Sequence, residues 1–267
     1  MNKLLDPKTL NRRNSAFLSI SIVLTFLIIW EILARTGHLS RLIFPAPTLI
    51  LQSLVTGLIT GKYTEDLGIS LVRILMGFLI GGGSGLLLGL LMGWSRRLRA
   101  VLDPIIAALH PIPKFALLPM VIIFFGIGET SRIAMVSIAA FFQMVINTMT
   151  GVLQINPTYY EVMENYGASK IDIFRRVVIP GSLPYALTGA RLSLRSSLTI
   201  TIGIEMVFSN NGLGSALWLS WQTMRMIDMY SILILVSVIG FSMVLLLDVA
   251  KRVLTPWDYE SQRAKRE

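Results

Sequence analysis

Residues 161–184 read EVMENYGASKIDIFRRVVIPGSLP, the one long polar interruption in a chain that is otherwise soluble in lipid. Its punctuation can be read locally. Asn156 can cap a helix whose first residue is Pro157, because the amide oxygen satisfies an orphan N–H and proline has none to lose there. Gly167 can take the left-handed backbone that ends this helix, and Ser169 with Asp172 three residues on forms a capping box that opens a second. Pro180 is expected to stop that second helix. The first helix would carry Val162, Met163 and Tyr166 on one face, with Glu161 and Glu164 beside them. An apolar knob with an acidic rim suits docking into a groove on another protein, and a helix pair lying on a membrane surface is the other reading.

Outward from this stretch the sequence is a series of apolar runs. Of 267 residues 54% are hydrophobic and only 15% charged, too apolar for a soluble globular protein. Runs at Ala16–Ala34, Leu67–Trp94, Ala100–Phe125, Ile133–Ile155, Leu183–Phe208 and Ser231–Val249 can each cross a hydrocarbon core at about 1.5 Å per residue. The expected fold class is therefore an all-α integral membrane protein with about six transmembrane helices. The spans would occupy 16–255, between a polar segment at 1–15 and a charged tail at 256–267. The first run exceeds the apolar core of a cleaved signal peptide and is expected to be retained.

The formal net charge of +9 does not point to nucleic acid, because the basic residues sit at span ends without interleaved aromatics. With no cysteine, and with His38 and His110 far apart in sequence, there is neither thiol chemistry nor metal-ligand spacing. The glycine run at 81–85 lacks the Lys and Ser/Thr of a phosphate-binding loop, so a nucleotide would have to be bound by another chain. Placing the N-terminus inside gathers the Arg96–Arg99 loop, the Glu161 loop and the tail on one side, with about 15 basic residues against about five opposite. Both termini and the 156–184 loop are thus expected to be cytoplasmic.

Two spans carry more than apolarity. Gly77, Gly81, Gly85, Gly89 and Gly93 recur every fourth residue and give a smooth face that another helix can approach closely. Static packing within the chain and a moving interface with a partner subunit both fit that pattern. The third run holds Asp103-Pro104, His110-Pro111-Ile112-Pro113-Lys114 and Pro119, and is expected to be broken and bundle-facing, since each proline removes a donor. Broken helices often line translocation routes, and a charge at mid-membrane must be paired or hydrated. His110, Pro113, Lys114, Arg195 and Glu205 are the candidate pathway residues, internally paired structural charges being the alternative. Lys114 and Arg195 would favour an anionic cargo.

The loop also resembles a known family. Glu161-Val162-Met163, Gly167 six residues after the Glu, Ile179-Pro180 and Leu183-Pro184 are similar to the EAA loop in the membrane subunits of binding-protein-dependent ABC importers. Val162 and Met163 stand where that family usually has alanines. Trp30-Glu31, Pro45 to Pro47, Ser70-Leu71-Val72-Arg73 with Gly77, Asp103-Pro104, Pro111-Ile112-Pro113-Lys114, Ala116-Leu117-Leu118-Pro119, Phe125-Gly126-Ile127-Gly128-Glu129 and Gly212-Leu213-Gly214 resemble, in order and spacing, the nitrate, sulfonate, taurine and bicarbonate branch.

The resemblance implies a type I ABC importer permease in a bacterial plasma (inner) membrane, with Glu161, Val162, Met163, Glu164, Tyr166 and Gly167 in a coupling helix that seats in a cytoplasmic ATPase. It also implies a homodimer of permease subunits, two ATP-binding subunits holding ATP and Mg, and an extracytoplasmic substrate-binding protein. The chain itself would be no enzyme and would hold neither cofactor nor metal. The Pro111–Lys114 form looks closest to aliphatic-sulfonate permeases, a thiamine-precursor cargo being the alternative. A secondary transporter predicts inverted repeats and an embedded enzyme a cluster of titratable groups at one depth, and the sequence offers neither pattern.

Overall fold

The computed structural model describes residues 12–257, and among these every regular element is helical. The expected segment 1–15 and tail 256–267 lie almost wholly outside the described residues. Two compact units can be distinguished, Met1–Lys62 with Leu217–Leu235, and Tyr63–Ala216 with Val236–Glu267.

In the first unit α1 (Arg12–Thr36) exposes most of its side chains from Phe17 onward, as a helix solvated by lipid does. α2 (Pro47–Ile59) begins on a proline and buries Ile50, Leu54 and Gly57 along one face. Glu31 joins the two helices, accepting from Arg35 and from the Thr48 amide at 3.1 Å and hydroxyl at 2.8 Å.

The second unit is built around one helix. α3 (Thr64–Gly77) passes through a π turn (Phe78–Gly82) into α4 (Gly83–Trp94), and α5 (Arg96–Leu109) follows at once. A 3-10 turn (Lys114–Leu117) leads to α6 (Leu118–Phe125), bent 96° from α5. α7 (Glu129–Leu153) is the central helix, with Met135, Val136, Ala139, Ala140, Val145 and Thr148 buried along its length. The polar loop forms α8 (Pro157–Asn165) and α9 (Lys170–Ile173), and a second π turn (Phe174–Val178) leads into α10 (Ile179–Phe208). α11 (Leu213–Gln222) and α12 (Met226–Leu254) contribute to both units.

Four of these helical paths are long and apolar enough to cross a membrane, and the bent α5–α6 pair makes a fifth. α10 is long enough at 30 residues, but Arg191, Arg195, Glu205 and a row of serines and threonines leave it less apolar.

All five glycines of the ladder face α7 of the same chain. A Cβ at Gly85 would lie 2.7 Å from the Phe141 carbonyl oxygen, and one at Gly89 2.7 Å from that of Val145. At Gly81 it would overlap the Ser137 carbonyl, and at Gly77 and Gly93 it would strike Val136 and Val152. A four-residue repeat drifts by about 40° per step on a regular helix. The π turn takes one more residue per turn and rotates the stripe back, keeping it on α7. On an adjacent side α7 meets α10 through small residues, with Ser193 donating to the Ala140 carbonyl at 2.8 Å and Gly189 against Asn147.

Several expectations are corrected. The Arg96–Arg99 stretch is not a loop, because Ser95 caps α5 by accepting from Leu98 N–H, and the arginines fall in its first turn. Pro180 does not stop the second helix. It stands at the second position of α10, after a π turn has already displaced the regular bonding by one residue, so its missing N–H interrupts nothing. The third run is broken as expected and faces the bundle on one side only. Val101, Ile105, Phe115, Met120, Ile123 and Phe124 are exposed, because this chain packs only the side bearing Ile106, Leu118 and Val121.

Candidate functional site

The polar loop is shaped by two end motifs. Asn156 accepts from Thr158 N–H at 3.0 Å and opens α8. At the other end Gly167 has φ +72°, its N–H donates to the Glu164 carbonyl at 2.9 Å, and Ala168 N–H donates to that of Met163 at 3.0 Å. This pair of bonds is the Schellman arrangement. Ser169 and Asp172 then cap each other's backbone, and the hydrogen bonds from Ser169 hold the Asp172 carboxyl below the usual carboxylate range.

No residue of α8 is buried. Glu161, Val162, Glu164 and Gly167 are exposed, and Tyr166 is 87% exposed. Met163 departs from the expected knob, being half-buried on the side it shares with Tyr160, because 100° separates it from Val162 around the helix. The outward apolar ridge is instead Tyr159, Val162 and Tyr166, at i, i+3 and i+7. Behind the helix, Trp94 at the end of α4 packs against Tyr160 (ring centroids 6.3 Å apart) and Phe174 (5.7 Å). Burial there pushes the Tyr160 hydroxyl pKa up. Sequence reasoning missed this aromatic brace, whose signal was a tryptophan at the end of the glycine helix.

The residues of the broken span come together. Lys114 Nζ donates to the carbonyls of His110 (2.7 Å) and Ile112 (3.1 Å), which the break leaves without helical donors, and sits 4.4 Å from the centroid of the Phe142 ring. His110 meets the same ring edge-on at 5.9 Å, and Pro113 precedes the 3-10 turn. The lysine is therefore a cap for the break. Lys114→Met is expected to lower substrate uptake while leaving retention of the ATPase subunit unchanged, and parental uptake kinetics would remove Lys114 from the route.

Arg195 and Glu205 are elsewhere on α10. Arg195 is exposed in a groove against α12. Glu205 is a correction, since it is buried in a polar hub of which only the Glu129 and Asn211 edge is exposed. Arg73, in the apolar half of α3, donates to Glu205 at 2.8 Å, to Glu129 Oε2 at 2.8 Å and to the Asn211 carbonyl at 3.0 Å. Ser70 donates to Glu205 at 2.8 Å and accepts from Leu213 N–H, Gly214 N–H donates to Glu205 at 2.9 Å, and Gly212 N–H donates to Asp66 at 2.7 Å. The Arg73 and Glu205 side chains are 2% and 1% exposed. An arginine in an apolar run requires such partners, but its position does not say which ones.

The described residues form an all-helical bundle with membrane-length apolar helices and a capped, exposed polar corner. The chain belongs to the family of binding-protein-dependent transport system inner membrane components, whose model matches residues 85–257. It is similar to a probable ABC transporter permease protein of Brucella melitensis biotype 1, 31% identical over 85% of this chain and 92% of that protein. It is also similar to the taurine transport system permease protein of Escherichia coli strain K12, 30% identical over 92% of this chain and 91% of that one. A chain of the MetNI methionine ABC transporter in an inward-facing form has the same fold, with a TM-score of 0.61 and 22% identity over 72% of this chain and 94% of that one. Members of this family are permeases of ABC importers, working with ATPase and substrate-binding partners. The chain accordingly transports and does not catalyse, ATP hydrolysis belonging to separate subunits.

Proposed function

We propose that this permease pairs with a second copy of itself to form the route for a small solute bearing an anionic group, such as taurine, another sulfonate, nitrate or bicarbonate. α8 would seat in a cleft of the ATPase, with Tyr159, Val162 and Tyr166 as its knob, Glu161 and Glu164 as its rim, and Met163 and Gly167 setting its presentation. His110, Pro113, Lys114 and Arg195 would border the route, and both termini would lie in the cytoplasm. ATP and Mg would be held by the partner subunits. Closure of the ATPase pair would push the two α8 helices and rock the bundles between outward- and inward-open forms.

The observation that carries this reading is the exposed ridge of α8, held at a defined angle by a left-handed glycine and braced behind by Trp94. A helix merely resting on lipid needs no such bracing. The taurine, aliphatic-sulfonate and bicarbonate permeases among the relatives support the anionic cargo.

Gly167→Val tests it. A β-branched residue at φ +72° costs on the order of 1–3 kcal/mol locally, while no neighbour crowds the position and the spans are untouched. The variant is expected to insert normally but to lose ATPase retention, or to hydrolyse ATP without response to the loaded binding protein. Glu161→Ala should act in the same direction more mildly. Normal coupling in Gly167→Val would count against the assignment of α8.

A further inference from the structure

Resting on the importer reading, we propose that the groove between α10 and α12 is a binding site for an anion of the sulfonate or small oxyanion class, recognised by the guanidinium of Arg195. The groove has a volume of about 600 Å³ and is lined by Arg191, Arg195, Thr199, Ser237, Gly240 and Asp248 together with aliphatic side chains. A Cβ at Gly240 would lie 2.7 Å from Leu198, so glycine there lets α12 run close beside α10.

The charges of the groove do not cancel. Arg191 pairs with Asp248 at 3.2 Å, leaving Arg195 without a carboxylate or hydrogen-bond partner for its guanidinium among the described residues. Two arginines against one aspartate leave the lining at +1. The Nε of Arg191 is buried without a hydrogen-bond partner. One monoanion would balance the charge and accept from the Arg195 guanidinium. A guanidinium presents a planar fork that matches two oxygens of a sulfonate or carboxylate, which an ammonium does not. Lys114 is less available for this task, because two carbonyls and a ring already engage it.

A solute and a lipid headgroup are the two sources of such an anion. Arg195 lies one turn, about 6 Å, from Arg191, whose partner Asp248 stands at the inner end of the Ser231–Val249 run. Changing the lipid of the vesicles separates the two.

The chain has no cysteine, so Thr199→Cys places a single thiol in the groove. The probes are two methanethiosulfonate reagents, one bearing a sulfonate and one a trimethylammonium, applied to the complete importer in proteoliposomes. Each rate, counted on this chain by mass, is divided by that reagent's rate with a free thiol. The sulfonate reagent is expected to be favoured by about tenfold, the worth of a charge-assisted hydrogen bond. Arg195→Gln should abolish the preference and Arg195→Lys should retain part of it. Methanesulfonate should slow the labelling and choline should not.

Equal corrected rates, or a preference that survives Arg195→Gln, would overturn the site. So would loss of the preference when phosphatidylglycerol is added to phosphatidylcholine vesicles, since a headgroup would then be the occupant. Stimulation of ATP hydrolysis by the binding protein, measured on the same vesicles, reports separately on the importer reading. Failure of either result is therefore recognisable without the other.

Discussion

Arg73→Met should be among the most damaging single substitutions in this protein. It removes the cation and leaves Glu205 buried, facing Ser70 and the Gly214 amide with no opposite charge. Breaking a buried ion pair from one side costs about 3–5 kcal/mol, because the surviving charge keeps its desolvation penalty. The expected result is a large fall in the thermal midpoint of the detergent-solubilised chain, with loss of folded yield. Glu205→Leu added to Arg73→Met should recover much of the loss, since replacing both partners by apolar groups removes the penalty itself. The measurement is thermal unfolding of the parent and the two variants. A midpoint for Arg73→Met equal to that of the parent would show that the hub contributes no stability.

Gly85→Leu should be nearly as severe, for a different reason. A side chain there meets the Phe141 carbonyl at 2.7 Å and the Met144 Cβ at 3.0 Å, and backbone cannot swing aside as a flexible side chain does. Overpacking of this kind costs about 1–3 kcal/mol, and more when main chain must shift. α4 and α7 are expected to separate, with reduced assembly and transport. Gly83 lies on the same helix with nothing near its missing Cβ, so Gly83→Ala should be tolerated and serves as the control. If Gly85→Leu assembles and transports as the parent does, close packing at the ladder is wrong.

These two effects differ in how far they could be read in advance. The ladder is a local regularity, and spacing alone announces a close helix contact, yet five glycines do not say which helix they meet. The hub is less legible. Arg73, Glu129, Glu205 and Asn211 are scattered through more than half the chain, and the charges are brought together only when α3, α7 and α10 pack. Glu205 consequently read as a pathway residue when it is an internal counter-charge.

The polar loop was the most legible part, because each of its signals acts within a few residues. Asn156, Gly167, Ser169 and Asp172 do what short-range hydrogen bonding requires of them whatever surrounds them. Pro180 was misread because a π turn, which has no simple sequence mark, changed the bonding in front of it. Met163 was misplaced because it shares a helix face with Tyr160, the face that Trp94 packs against.

By itself the sequence determined the helical class, the apolar runs, the capped corner and the family resemblance, all consequences of hydropathy and local backbone chemistry. Only the tertiary structure decided that the glycines serve α7, that Lys114 caps a break, that Glu205 answers Arg73 and that Arg195 stands unpaired in a groove. Whether a charge is satisfied depends on its distance from another charge in space, and separation along the chain does not encode that distance.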